Sequence, residues 1–175
     1  MNTDHETVVF DLDGTLVRLT VDWEAVASDV AETLRERGVV PPESLWGMLE
    51  TANETGHRPA VEAVIAGYER DGARASERLP AADAVPEQPV GVCSLNCEDA
   101  CHIAIEEHGI DGVGAVVGRD TVGTEKPDPE PLLETVRRLD GTPESTLFVG
   151  DTVRDERTAQ RAGCSFSYVS EWLRA

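Results

Sequence analysis

Lysine is nearly missing from this 175-residue chain: of 15 basic residues, 14 are arginine and Lys126 alone is lysine, against 34 Asp and Glu and a net charge of −19. A sequence-independent grip on nucleic acid or on an anionic membrane surface depends on clustered Lys and Arg, so neither is expected as a partner. Long apolar runs are missing too, since no stretch approaches the roughly 18 residues that a membrane-spanning helix needs. The start, Met1-Asn2-Thr3-Asp4-His5-Glu6, lacks the basic and apolar regions of a secretory leader, and the expected location is the cytoplasm. Cys93, Cys97, Cys101 and Cys164 make no CxxC pair. In a reducing compartment they imply no disulfide framework. The spacing of four between Cys97 and Cys101 allows two thiols on one helix face, but without neighbouring His the four read as small buried packing residues rather than zinc ligands.

What is present argues for a folded chain. Apolar runs such as Val8-Val9-Phe10 and Leu147-Phe148-Val149 recur between helical patterns, so a packed core is available despite the acidity. The excess of carboxylate over ammonium resembles the proteome of a salt-accumulating halophile, in which molar cations screen self-repulsion over about 3 Å. Five short runs apolar on both faces are predicted as strands: 7–10, 90–93, 113–117, 146–149 and 166–169. Helical patterns of crossover length at 97–108, 129–139 and 155–162 separate the last four. That alternation predicts an α/β fold, a Rossmann-like doubly wound parallel sheet. About 80 residues without a convincing strand separate the first two runs. Helices are predicted there at 22–37, with Gly38 as a stop, and at 42–54 and 60–69. The expectation is a small all-helical cap at 18–80, inserted after the first strand into a core domain of 1–17 and 81–175. A hinge is placed in the Ala- and Pro-rich return at 72–88.

Chemistry-bearing residues sit where these strands stop. In open α/β sheets the ligand crevice lies at the carboxyl ends of the strands, and the first run ends in Asp11-Leu12-Asp13-Gly14-Thr15. Alternation along an extended chain points Asp11 and Asp13 the same way, a pair suited to one nucleophile and one acid/base; a polar turn is the plain alternative. The fourth run ends in Gly150-Asp151-Thr152-Val153-Arg154-Asp155. Hard oxygens from Asp11 and Asp151, with a backbone carbonyl, fit part of an octahedral Mg²⁺ shell, although a solvated helix start accounts for Asp155 almost as well. After the second run, Ser94-Leu95-Asn96 offers a hydroxyl and free N–H groups for a phosphoryl oxygen, or an ordinary helix cap. The third run leads to Lys126, where an otherwise all-arginine chain keeps a compact point charge instead of a planar fork.

Four strand ends in this order resemble the haloacid dehalogenase-like hydrolase superfamily, over about residues 7–169. Asp11, Asp13, Gly14 and Thr15 match its first motif, Ser94 the second, Lys126 the third, and Asp151 with Asp155 the fourth. The helical insertion is similar to the family's smaller cap type. Lys126-Pro127-Asp128-Pro129-Glu130-Pro131-Leu132 is similar to its phosphoglycolate phosphatase-like branch. The resemblance implies a Mg²⁺-dependent phosphatase acting on a small phosphorylated metabolite, with Asp11 attacking phosphorus and Asp13 as acid, then base. It also implies metal binding by Asp11, Asp13 and Asp151, and phosphate binding by Ser94, Leu95, Asn96 and Lys126, with Asp155 orienting Lys126 or a water. An acid at Asp13 sets phosphatases apart from dehalogenase and phosphonatase members. A phosphosugar mutase or phosphotransferase built on the same residues, and a non-catalytic binding module, are the alternatives. Candidates for selecting the substrate from the cap are Arg18, Trp23, His57 and Arg58, whose arginines suit a carboxylate or second phosphate.

Overall fold

The computed structural model describes residues 5–174, so Met1 to Asp4, part of the stretch on which the leader expectation rests, lie outside it. In chain order the elements are β1 (Thr7–Phe10), β2 (Val17–Arg18), α1 (Trp23–Glu36), α2 (Leu45–Glu54), α3 (Arg58–Arg74), β3 (Glu77–Arg78), β4 (Val90–Cys93), α4 (Glu98–Glu107), β5 (Val113–Val117), α5 (Glu130–Arg138), β6 (Thr146–Gly150), α6 (Val153–Ala162), β7 (Ser165–Tyr168) and α7 (Val169–Trp172). Five strands form one fully parallel sheet in the order β5-β4-β1-β6-β7. The five runs predicted from sequence are these strands, displaced by at most one residue.

Alternation along β1 explains the two layers of helix. Val8 and Phe10 join the core that α4 covers with Ala100, Cys101 and Ala104. Val9 faces the other way, into a core with Phe148, with Leu132 and Val136 of α5, and with Ala159 and Ala162 of α6. Each such large apolar side chain contributes about 1.5–3 kcal/mol on burial, and strands buried on both faces need helices on both faces. The sheet is therefore doubly wound. Cys93, Cys97 and Cys101 are buried packing residues with free thiols, and Cys164 is half-buried. Burial pushes the Cys93 and Cys97 thiols up to about 12, far from the thiolate a metal would need.

The insertion between β1 and β4 has its own core: Val26, Val30 and Leu34 of α1, Met48 and Leu49 of α2, and Val61 and Ile65 of α3. The Asp22 side chain caps α1 by accepting from the N–H groups of Glu24 and Ala25 at 3.1 and 3.0 Å, and Ser44 caps α2. Two features differ from the sequence expectation. First, β2 and β3 form a two-residue antiparallel ribbon at the base of the insertion, Val17 opposite Arg78 and Arg18 opposite Glu77, too short to leave a period in the sequence. Second, α3 does not stop near residue 69 but runs through Gly72 to Arg74. Gly72 is a close-approach glycine, not a break: a Cβ there would lie 2.6 Å from Val21 Cγ2 and 2.8 Å from the Thr20 carbonyl oxygen. Among the described residues no helix is long and apolar enough to cross a membrane.

Candidate active site

The sheet order reverses around β1, so the carboxyl ends of β1, β4 and β6 meet at the switch point where such sheets bind ligands. Asp11 follows β1 directly, its backbone N–H donating to the Val149 carbonyl at 2.8 Å. The chain then turns so tightly that the Leu12 carbonyl accepts from the N–H groups of Thr15, Leu16 and Val17. Gly14 makes that turn at φ +86°, where a Cβ would collide with the Asp151 carboxylate. The glycine thus lets the end of β6 close on the end of β1. Asp13 Oδ1 accepts from the Leu19 N–H at 2.8 Å, and burial lifts this carboxyl above its usual range against the opposing pull of that hydrogen bond.

Lys126, from the loop after β5, is only 5% exposed. Its Nζ donates to Asp11 Oδ1 at 2.8 Å, to Asp155 Oδ1 at 2.6 Å and to the Cys93 carbonyl at 3.2 Å, which uses all three ammonium protons. Burial alone would favour the neutral amine, but the two carboxylates hold Lys126 protonated well above its ordinary range. Asp11 itself is pushed up to about 7 by burial, with Asp155 and Asp151 adding repulsion and Lys126 opposing. Asp155 is not a solvated helix-start acid: it is 1% exposed and forms a capping box with Thr152 at the start of α6 while reaching Lys126.

Carboxylate oxygens of Asp11, Asp151 and Asp155 lie within 4.8 Å of one another. Burial first, and Asp155 second, raise the Asp151 carboxyl, the response of like charges crowded together. An all-oxygen donor set under such repulsion fits a hard divalent cation such as Mg²⁺. The Asp13 side chain stands outside this group on the Leu19 N–H and Asp155 is its third acid, while the backbone carbonyl expected beside Asp11 and Asp151 is a donor separate from these carboxylates.

Ser94 is fixed by its N–H on the Val117 carbonyl, and its hydroxyl donates to Asn96 Oδ1 at 3.1 Å. Asn96 Nδ2 donates in turn to Glu69 of α3, 3.3 Å away, and Glu69 also accepts from the Cys97 N–H at 2.9 Å. Arg119 closes the network with donors to both Glu69 oxygens, at 2.6 and 2.9 Å, to Glu62 and to the Leu95 carbonyl. The sequence reading missed Glu69 and Arg119. A clue was present, because Glu69 continues the buried stripe of Val61 and Ile65 at helical spacing and is itself 0% exposed. Glu69→Gln keeps the shape but weakens the charge-assisted bonds. It is expected to lower unfolding stability by about 1–3 kcal/mol, read from the denaturant midpoint.

A cavity of about 530 Å³ lies over these residues, with Asp11, Asp13, Ser94, Lys126 and Asp151 on its floor and Trp23, Trp46, Leu49 and Ile65 among its roof. Leu95 and Asn96 also line it, as does Trp23 of the expected selectivity residues. The other three are elsewhere. Arg18 is exposed and paired with Glu77 at 3.0 Å; His57 precedes the first turn of α3; Arg58 pairs with Glu62 and Glu125 and faces a second cavity of about 550 Å³.

Fold and site together define an α/β protein whose acids and one buried ammonium converge at the switch point of a parallel sheet, under a helical roof. Comparison with known proteins narrows this. The family model for haloacid dehalogenase-like hydrolases matches residues 87–169. A phosphoglycolate phosphatase of Cereibacter sphaeroides is 32% identical over 95% of this chain and 86% of its own length. One of Rhodospirillum rubrum is 27% identical over 90% of this chain and 76% of its own. This chain belongs to the haloacid dehalogenase-like hydrolase family. Solved structures share the fold: a hydrolase from Pseudomonas syringae at TM-score 0.66 and 20% identity, covering 92% of this chain and 83% of its own. Another is a HAD family hydrolase from Deinococcus radiodurans, solved with bound phosphate and sodium, at TM-score 0.61 and 18% identity over 95% and 81%.

Proposed function

We propose that this protein is a phosphatase that hydrolyses a small phosphomonoester through an aspartyl-phosphate on Asp11, with residues 18–80 acting as a cap on a core of 1–17 and 81–175. The observation that carries this reading is the Lys126 ammonium bonded to Asp11 and Asp155 on the floor of a 530 Å³ cavity. A carboxylate beside a fixed cation, in a crevice large enough for a metabolite, suits in-line attack on phosphorus.

The steps follow from the residues. An Asp11 oxygen attacks phosphorus while the ester P–O bond breaks, and Asp13, whose carboxyl burial raises above its ordinary range, acts as the general acid that gives a proton to the leaving oxygen. Lys126, and Ser94 once its hydroxyl leaves Asn96, stabilise charge on the phosphoryl oxygens. Asp13, now ionised, takes a proton from water as the water oxygen attacks the aspartyl-phosphate, releasing inorganic phosphate and restoring Asp11. Mg²⁺, held by Asp11, Asp151 and Asp155, would supply Lewis-acid charge neutralisation to these steps.

The relatives' name makes phosphoglycolate the first substrate to test. The expected result is inorganic phosphate release from a phosphomonoester panel containing it, present with Mg²⁺ and lost with EDTA. Isomerised product without phosphate release would make the protein a mutase, and no turnover across the panel would sink the phosphatase reading.

A further inference from the structure

One cation on the cavity wall is not accounted for by the catalytic reading. Five acids line the cavity, Asp11, Asp13, Glu69, Asp151 and Asp155, against three cations, Lys126, Arg119 and Arg154. The Lys126 ammonium is taken up by Asp11 and Asp155, and the Arg119 guanidinium by Glu62 and Glu69. Arg154 differs: among the described residues no carboxylate pairs with it, although the chain carries 34 Asp and Glu. Its guanidinium carbon instead lies 5.0 Å from the ring centroid of Trp46, which reaches over from α2 and also lines the cavity. A guanidinium held against an indole keeps a fixed orientation while its N–H donors remain available to an incoming group.

Charge then selects the ligand chemistry. A substrate with a second anion meets repulsion from the acids unless a cation is reserved for it. The Arg fork matches a carboxylate with two parallel hydrogen bonds, and apolar side chains lining the same cavity, Leu45 and Leu49 among them, strengthen such a pair by thinning out water. Resting on the phosphatase reading above, we propose that Arg154, braced by Trp46, is the specificity-determining residue that reads a carboxylate on the leaving group. Selectivity for the acid is then read jointly by the first turn of α6 and by α2, and not by Arg18 or Arg58, whose guanidinium groups already hold Glu77, Glu62 and Glu125.

The test compares kcat/KM for phosphoglycolate with that for ethyl phosphate, which has the same two-carbon chain and no carboxylate. Both are measured on each of three proteins: wild type, Arg154→Met and Arg154→Lys. The ratio of the two values within one preparation is independent of how much protein is folded. Wild type is expected to favour the acid, Arg154→Met to lower the ratio by about 10- to 100-fold, chiefly through KM for the acid, and Arg154→Lys to fall between. A ratio unchanged in Arg154→Met, or a wild type that hydrolyses ethyl phosphate as well as the acid, overturns the subsite while leaving the phosphatase reading in place. Hydrolysis of neither ester by wild type, with phosphate released from another ester of the panel, overturns the subsite alone, and no turnover across the whole panel overturns both.

Discussion

Asp11→Asn is expected to remain folded and to release no phosphate. The structure separates these two consequences. Burial lifts the Asp11 carboxyl to about 7, so the site opposes the charge it holds there, and an amide of the same shape avoids that cost and relieves the repulsion with Asp151 and Asp155. Lys126 keeps Asp155 and the Cys93 carbonyl as acceptors, so no buried cation is left unpaired. The melting temperature should therefore move by only a few degrees, as a change of about 1 kcal/mol does in a domain of this size. Chemistry has no such fallback. The amide oxygen is a poor nucleophile, and loss of a nucleophile that works as a unit with its partners typically costs on the order of 10⁴ to 10⁶ in kcat. Phosphate release by the purified variant, with mass spectrometry to exclude deamidation back to aspartate, is the measurement. Turnover within tenfold of wild type would remove Asp11 as the nucleophile.

The parts of this protein that could be read from its sequence are those in which a local pattern and a fold rule point the same way. Strands buried on both faces appear as brief apolar runs, and the acids that follow 7–10 and 146–149 fall where a doubly wound sheet opens its crevice. Lys126 stood out because composition made it singular. What escaped depends on contacts between segments far apart in the chain. Arg119 and Glu69 are separated by 50 residues, and nothing near Arg119 announces that α3 will bring it two carboxylates. Arg154 lay in plain view beside Asp155, but its lack of a carboxylate partner among the described residues and the indole of Trp46 against it exist only in three dimensions. The same limit acted in reverse on Arg18 and Arg58. Their positions in the insertion suggested substrate contact, whereas neighbouring carboxylates in the fold already occupy them. Gly72 is the local counterpart, since a glycine reads as a break until the close passage of Thr20 and Val21 shows what it permits.

Lys126→Arg is expected to cost on the order of 10² to 10³ in kcat with little change in melting temperature. On an exposed surface the exchange would be nearly neutral, typically within about 0.5 kcal/mol, and 14 other basic positions in this chain already use arginine. Position 126 is not of that kind. Three acceptors, Asp11 Oδ1, Asp155 Oδ1 and the Cys93 carbonyl, converge on one nitrogen at 2.6–3.2 Å, an arrangement that suits the tetrahedral donors of an ammonium. A guanidinium is planar, with donors spread over three nitrogens, and it cannot place a single nitrogen where all three acceptors point. It still offers positive charge and two or more hydrogen bonds to the carboxylates, so the buried acids remain paired and the fold is kept. What it loses is the position of that charge, now spread into the space beside Asp11 where the phosphoryl group must sit. Catalysis by a preorganised charge depends on that position in the transition state, so kcat should fall more than the affinity for substrate. The deciding measurement is kcat and KM for phosphate release by Lys126→Arg alongside its thermal melt. A kcat within about twofold of wild type at unchanged melting temperature would leave the single lysine with no catalytic part, and the preference for an ammonium over a guanidinium at this site would need another cause.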